Sequence, residues 1–507
     1  MHAYLDNAAT PGMSERALAA YLSAAEVVGN PSSLHTPGRK ARRLVEDARE
    51  SIAADLGAHP TEVVFTSGGT EANNLAIKGI FWAQHAVDHR RRRILISAIE
   101  HHSVLEAAHW LERFGNAKTR LLSVCPGGVV DLSQLRSELR LPNLPSTSGI
   151  SSAVRRAPRL DGSASDSLPT IEALDSSPPA LVSVMLANNE IGVIEPVGQV
   201  AELARAAGVP VHTDAVAAVG QVSVSFVDLG VDALSLAAHK LGGPIGVGAL
   251  LVRRNLALEP LHHGGHQERG VRAGTVNVPG VVAFAVALSD AVAAIPTTTA
   301  HLTPLRDSLI SGVLASIPDA HLIGPNPLGP SPELLACPAV PPPLAGEVGS
   351  RSEVGGGLGP DSVPPPLAGD VGSRSEVGGG LGPPISPSET TEVPDRLAGN
   401  RADRLAANSG SRLAGNALLT FLGADPDALL FGLDQAGIAA SIGSACAAGV
   451  ARASHVLLAC GVPEAEARSA LRFSLGPTTT PANIEHLISA LPEVVARARP
   501  NVSVRIL

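Results

Sequence analysis

Short apolar runs and longer stretches with apolar residues three and four apart alternate along most of this chain. Residues 62–66, 93–97, 119–124, 181–185, 209–212, 232–236 and 247–252 read as strands, because each is brief, apolar and bounded by polar or glycine-bearing turns. Between them, Ala41, Leu44, Val45, Ala48, Ile52 and Leu56 mark one face of a helix opened by Pro37. Leu75, Ile77 and Ile80 belong to a second helix, and residues 200–207 to a third. This alternation predicts an α/β domain with a mostly parallel sheet, whose ligands lie beyond the carboxyl ends of its strands. An amphipathic helix over 425–435 and a strand-like run over 438–441 follow near the end.

The rhythm fails twice. Residues 141–179 are rich in serine, proline and alanine and read as a largely irregular insertion. Residues 325–411 contain an internal repeat: VPPPLAGEVGSRSEVGGGLGP begins at Val340 and recurs with one change at Val363, 23 residues later. Two glycine- and proline-rich copies bury too little apolar surface to build a core, so a disordered insertion is expected.

With 507 residues, 45% of them hydrophobic and 17% charged, the chain is long enough for a large core and more than one domain. A net charge of −9 offers no footprint for nucleic acid, and the cluster Arg90–Arg93 is too short to supply one. No apolar run approaches the ~20 residues of a membrane span, and the N-terminus lacks a charged stretch followed by an apolar one. A soluble, cytoplasmic protein is therefore expected. The four cysteines, Cys125, Cys337, Cys446 and Cys460, are too scattered for a disulfide framework or a zinc site, so any important cysteine is expected to act alone.

Candidate chemistry clusters at predicted strand ends. Only four of the 38 basic residues are lysine, yet Lys240 follows a strand and precedes glycines. A desolvated lysine can lose its proton and form a Schiff base, which arginine cannot do; the alternative is a lysine facing solvent. Gly68, Gly69 and Thr70 open a helix whose N-terminus could hold a phosphate, or could simply form a capped turn. His101 and Asp214 also follow strands, the latter able either to keep a cofactor nitrogen protonated or to cap a helix. His262, His263 and His266 lie in a loop without a carboxylate or thiol at ligand spacing, which argues against a metal. Cys446 sits among small residues, as a reachable thiol or as a buried small hydrophobe. Arg472 is a cation among apolar neighbours and needs a carboxylate.

Taken together, YLDNAAT, GNPSSLH, FTSGGTEANNLAIKG, EHHSV, NNEIG, HTDA, AHKLGGP, GVGALLVRR, GGHQERGVRAGT, GSAC and LRFSLG occur in the order found in the cysteine desulfurases. The chain resembles that family, pyridoxal-phosphate enzymes of the class V aminotransferase group, over nearly its whole length outside the two insertions. The resemblance implies the fold-type-I architecture of pyridoxal-phosphate transferases: a large α/β domain with a mostly parallel sheet and a smaller α+β domain. Residues 1–15 would join the small domain, 16–260 would form the large one, and 261–324 with 412–507 the small one.

It further implies that Lys240 bonds to pyridoxal 5'-phosphate and that Asp214 pairs with its pyridinium nitrogen. His101 would stack on the ring and assist proton transfer, and Asn188 would lie near the ring's phenolic oxygen and the substrate. Gly69, Thr70 and His239 would hold the phosphate, with Thr275 contributed by the partner subunit of a homodimer. Arg472 would clamp the carboxylate of L-cysteine, and Cys446 would take its sulfur as a persulfide and pass it to an iron–sulfur scaffold or other acceptor, leaving L-alanine. Selenocysteine lyase, another class V enzyme, and a degenerate non-catalytic paralogue are the alternatives. The chain also departs from the family pattern: Ala217 stands where glutamine is usual, Ala237 where a hydroxyl is usual, and Ile245 where lysine is frequent. Weaker cofactor retention is the expected consequence.

Overall fold

The structure is a computed structural model that describes residues 2–142, 177–329, 410–443 and 453–499. Cys446, the repeats and most of the 141–179 insertion therefore lie outside the described residues. Contacts divide the chain into one unit of residues 1–343 with 400–507 and a second of 344–399, which is wholly outside the described residues. All the described strands and helices belong to the first unit.

Its strands are β1 (Ala3–Tyr4), β2 (Val63–Thr66), β3 (Arg93–Ser97), β4 (Lys118–Leu122), β5 (Pro179–Ser183), β6 (Val211–Asp214), β7 (Ala233–Ala237), β8 (Gly248–Val252), β9 (Ala320–Leu322), β10 (Asn416–Phe421), β11 (Ile438–Ala439) and β12 (Ala470–Ser474). Seven of them form one sheet in the order β2-β8-β7-β6-β5-β3-β4. Every pairing from β7 to β4 is parallel, and β8 runs antiparallel to both its neighbours. The expected mostly parallel α/β sheet is thus present. All strands of this sheet except the edge strand β4 are buried along their whole length, as a sheet covered on both faces requires.

The helices supply those covers. They are α1 (Glu15–Ala25), α2 (Thr36–Asp55), α3 (Gly69–Val87), α4 (His102–Gly115), α5 (Leu132–Glu138), α6 (Val197–Ala206), α7 (Phe226–Leu229) and α8 (Val278–Ser316), followed by C-terminal helices that include Pro426–Gln435 and Pro481–Ala498. Alternation along β3 shows the division of labour: Ile94 and Ile96 pack with Ile77 and Phe81 of α3, whereas Leu95 packs in the core that holds Ile52 of α2.

A second, antiparallel sheet, β12-β10-β9, has its own core with Leu487 and Leu491 of the last helix and Leu305 and Leu309 of α8. Helix α8 serves both cores, since its earlier residues Phe284 and Leu288 pack under the large sheet. By length and composition it could cross a membrane, contrary to the expectation that no apolar run is long enough. Ser289 and Asp290 interrupt the run and Pro296 and Pro304 punctuate it, but the helix continues through both prolines. Cys125 is disulfide-bonded, although the four cysteines are too scattered to suggest a disulfide framework, and Cys460 is a buried free thiol.

The N-terminus crosses to the second core. Ala3 and Tyr4 pair in parallel with Ile438 and Ala439, and Asp6 bridges to Ser474. At the β2 edge of the large sheet, Glu268 fixes the loop that carries Thr275. Its carboxylate takes a two-pronged ion pair from Arg49, 2.8 Å to each oxygen, and the Phe65 N–H at 3.0 Å. Both side chains are buried, so removing one partner strands a charge. Glu268→Ala is expected to lower stability by about 3–5 kcal/mol, read as a lower urea midpoint; an unchanged midpoint would show that water reaches Arg49.

Candidate active site

The carboxyl ends of β2, β3, β5, β6 and β7 converge on a cavity of about 490 Å³. They contribute Ser67–Thr70, Glu100–Ser103, Met185 with Asn189 and Glu190, Asp214, and His239 with Lys240, while Ala8, Ala9, Gly443, His455 and Arg472 close the far wall. Lys240, Asp214, His101, Gly69, Thr70, His239 and Arg472, which the sequence singled out separately, line this one space.

Two cations are held by the N-terminal segment. Lys240 Nζ donates to the carbonyls of Ala8 and Ala9 at 2.6 and 2.7 Å. Arg472, on β12, is almost wholly buried, with Nη2 donating to Asp6 at 2.8 Å and Nη1 to the Asn189 carbonyl at 3.1 Å. Its Nε is buried with no partner among the described residues, so two of the five N–H donors are committed, one on each Nη.

A chain of hydrogen bonds runs behind the anionic side. Asp214 accepts from Asn73 Nδ2 at 2.6 Å and from the Val216 N–H at 2.9 Å. Asn73 gives its other proton to Ser103 Oγ at 2.8 Å. His101 Nδ1 lies 2.7 Å from Ser103 Oγ and accepts the Ser103 N–H at 3.1 Å. An acceptor nitrogen carries no proton, so a neutral His101 holds its proton on Nε2 and Ser103 Oγ donates to Nδ1. Neither Asn73 nor Ser103 stood out in the sequence, where both read as helix residues.

Glu100 was also missed. It is fully buried, accepts from the Met185 N–H at 2.6 Å with one oxygen, and leaves Oε2 without a partner among the described residues. Burial, and then the nearby Asp214, hold its carboxyl well above the usual range. Burial and the Lys240 charge push His239 down to about 4, which leaves it neutral.

The glycine turn before α3 has a steric origin. A β-carbon on Gly248 of β8 would come within 2.7 Å of Gly68 Cα, so strand and turn touch backbone to backbone. Gly68 itself has φ +151°, and its missing side chain would meet nothing within 4 Å. As the N-cap it offers no side-chain acceptor to the first turn of α3, whose N–H groups and positive helix end face the cavity. Ala217 and Ala237 line the same wall with no polar atom to add, and Ile245 stands 76% exposed at the mouth.

Asn188 is elsewhere. It is fully buried, donates to the Ile99 carbonyl at 2.9 Å and accepts the N–H groups of Glu190 and Ile191 at 2.9 Å each. Its amide braces the turn after β5, and the neighbouring Asn189 faces the cavity instead. Adjacent asparagines in a turn have no periodicity to distinguish them, so the sequence reading was off by one. Thr275 is exposed and does not line this chain's own cavity.

The sequence model of the class V aminotransferases matches residues 3–145 and 156–339. An IscS-like cysteine desulfurase from Mycobacterium tuberculosis is 39% identical over 98% of this chain and 97% of its own length. The cysteine desulfurase IscS of Dictyoglomus turgidum is 32% identical over 98% and 95%, respectively. Among solved structures, a NifS-like protein superposes with a TM-score of 0.68 at 27% identity, covering 98% of this chain and all of its own. The chain belongs to the class V aminotransferase family and, within it, to the cysteine desulfurases.

The two asparagines have separable roles. Asn188→Ala removes the hydrogen bonds to Ile99, Glu190 and Ile191 at a buried turn and is expected to cost about 2 kcal/mol or more in stability. Asn189→Ala is expected to leave the unfolding midpoint in place. Chemical denaturation of the two variants decides the assignment, and the reverse order would return Asn188 to the cavity.

Proposed function

We propose that this protein is a cysteine desulfurase that releases L-alanine from L-cysteine and carries the sulfur on Cys446. The observation that carries this reading is the meeting of an amine, a buried carboxylate, a histidine and a buried arginine around one cavity at the carboxyl edge of a parallel sheet.

The family implies pyridoxal phosphate, and the residues present suit it. The open N-terminus of α3, with Gly69 and Thr70, suits a phosphate, and His239 is at hand to add a donor. Asp214 is a buried acceptor suited to a protonated ring nitrogen, and Lys240 is an amine suited to the aldehyde. When bound, the cofactor supplies an electron sink that acidifies the carbon bearing the substrate's amine.

The chain's own groups do the rest. Lys240 Nζ, on leaving the carbonyls of Ala8 and Ala9, takes the proton from that carbon and later returns one. Arg472 receives the substrate carboxylate on its uncommitted N–H groups. Asn189 and His101 Nε2–H supply polar contacts from the cavity wall. The Cys446 thiolate attacks the substrate sulfur: an S–S bond forms, the C–S bond breaks, and its electron pair stays on carbon, which is protonated before alanine leaves. From that persulfide the sulfur goes to an acceptor such as an iron–sulfur scaffold. Because Thr275 is exposed and outside its own cavity, we assign it to the phosphate site of a second copy in a homodimer.

Cys446→Ala is expected to abolish sulfide release while the cofactor's absorbance band survives, monitored by spectrophotometry beside an alanine and persulfide assay. Sulfide formation at the wild-type rate would remove Cys446 from the mechanism. Ala237→Ser restores a hydroxyl to the phosphate wall. It is expected to strengthen cofactor retention by about 1 kcal/mol, seen as slower loss of the absorbance band on dialysis; faster loss would mean that the hydroxyl does not reach the phosphate.

A further inference from the structure

Asp6 belongs to the YLDNAAT segment, whose backbone carbonyls at Ala8 and Ala9 hold Lys240 but whose side chains have no part in the proposed reaction. The segment is fastened to β12 along its length. Asn7 N–H donates to the Ser474 carbonyl at 3.1 Å, Asn7 Nδ2 to the same carbonyl at 2.9 Å, and Ala8 N–H to Ser474 Oγ at 2.8 Å. A β-carbon on Gly476 would lie 2.2 Å from Asn7 Oδ1, so the two chains meet without room for a side chain there. These contacts set Asp6 two residues along the same strand from the arginine it binds.

The backbone of Arg472 is held too, by reciprocal hydrogen bonds with Ser441, 2.6 Å from Arg472 N to the Ser441 carbonyl and 3.2 Å from Ser441 N to the Arg472 carbonyl. The guanidinium is therefore a rigid fork with two prongs assigned, Nη2 to Asp6 and Nη1 to the Asn189 carbonyl, and Nε–H unassigned. A guanidinium has five N–H donors in one plane, so fixing two of them fixes the direction of the others. Without Asp6, Nη2 loses its anchor, and the bond from Nη1 to the Asn189 carbonyl is left to aim the fork.

We propose that Asp6 is a positioning residue for the substrate carboxylate, holding the Arg472 fork so that its uncommitted N–H groups face the cavity. The inference rests on the reading of Arg472 as the carboxylate clamp. It follows that the acceptor oxygen of Asp6 matters, while its negative charge works against a second carboxylate on the same guanidinium. An amide at position 6 keeps the acceptor and removes the charge; a methyl group removes both.

The test uses holoenzyme variants Asp6→Ala and Asp6→Asn, with steady-state desulfuration of L-cysteine and of L-cysteine methyl ester. Equilibrium titration with L-alanine, followed by absorbance, reads binding independently of turnover. Asp6→Ala is expected to raise KM for L-cysteine and Kd for L-alanine by about tenfold, with kcat little changed and the ester, which lacks the charged carboxylate, unaffected. Asp6→Asn is expected to bind L-alanine at wild-type strength or tighter. Equal losses for L-cysteine and its ester, or an Asp6→Asn variant as weak as Asp6→Ala, would overturn the proposal. If Asp6→Ala does not fold, Asp6→Asn decides: a tenfold loss of L-alanine affinity overturns the proposal and undiminished binding supports it. A wild-type protein that binds L-alanine but releases no sulfide would fail the proposed activity and leave this reading to the titrations.

Discussion

Two cations stand in the wall of one partly enclosed cavity, and a charge withdrawn from water needs compensation. The short segment from Asp6 to Ala9 provides it for both, with a carboxylate for Arg472 and two carbonyls for Lys240. That segment is kept in place by the pairing of β1 with β11 and by Ser474 of β12, which holds Asn7 and Ala8. The small sheet therefore reaches the chemistry of the large one through the first ten residues. The site draws on the strand ends of the parallel sheet, the N-terminal segment, β12, and the stretch that carries Gly443 and His455.

The strand ends come from a rule of connection rather than from any single residue. Parallel neighbours must be joined by crossovers, so consecutive strands deliver their loops to the same edge. This is why Gly69, His101, Asp214 and Lys240 meet although they are spread over the first half of the chain. It is also why that much was readable in advance: β3 falls where the apolar run predicts it, at Arg93–Ser97, and β2, β7 and β8 are shifted by a residue at most. The expected helix over 425–435 is present as Pro426–Gln435, with Asp425 as its N-cap.

What was not legible depends on facts of three dimensions. Which of Asn188 and Asn189 faces the cavity is set by the turn conformation, in which the first amide caps the N–H groups of Glu190 and Ile191. Asn73 and Ser103 lie 30 residues apart and become neighbours only when α3 and α4 pack side by side. Periodicity gives such polar residues no distinguishing mark, because a helix places polar groups on its outer face as a matter of course. The span of α8 was missed for a different reason. Pro296 and Pro304 lie inside it, and the packing of α8 against both cores offsets the backbone hydrogen bonds that they remove.

Glu100 and Asp214 show how one scaffold equips two neighbouring carboxyls differently. Both carboxyls are buried in the cavity wall, and two such groups near one another resist ionising together. Asp214 has the better-equipped oxygens, with donors from Asn73 on one and Val216 on the other. Glu100 has a single donor among the described residues, from Met185, and an oxygen with none. Of the two, Glu100 is therefore the carboxyl that burial and its neighbour hold well above the usual range. Across the cavity from this pair stands Arg472, aimed by Asp6 and the Asn189 carbonyl.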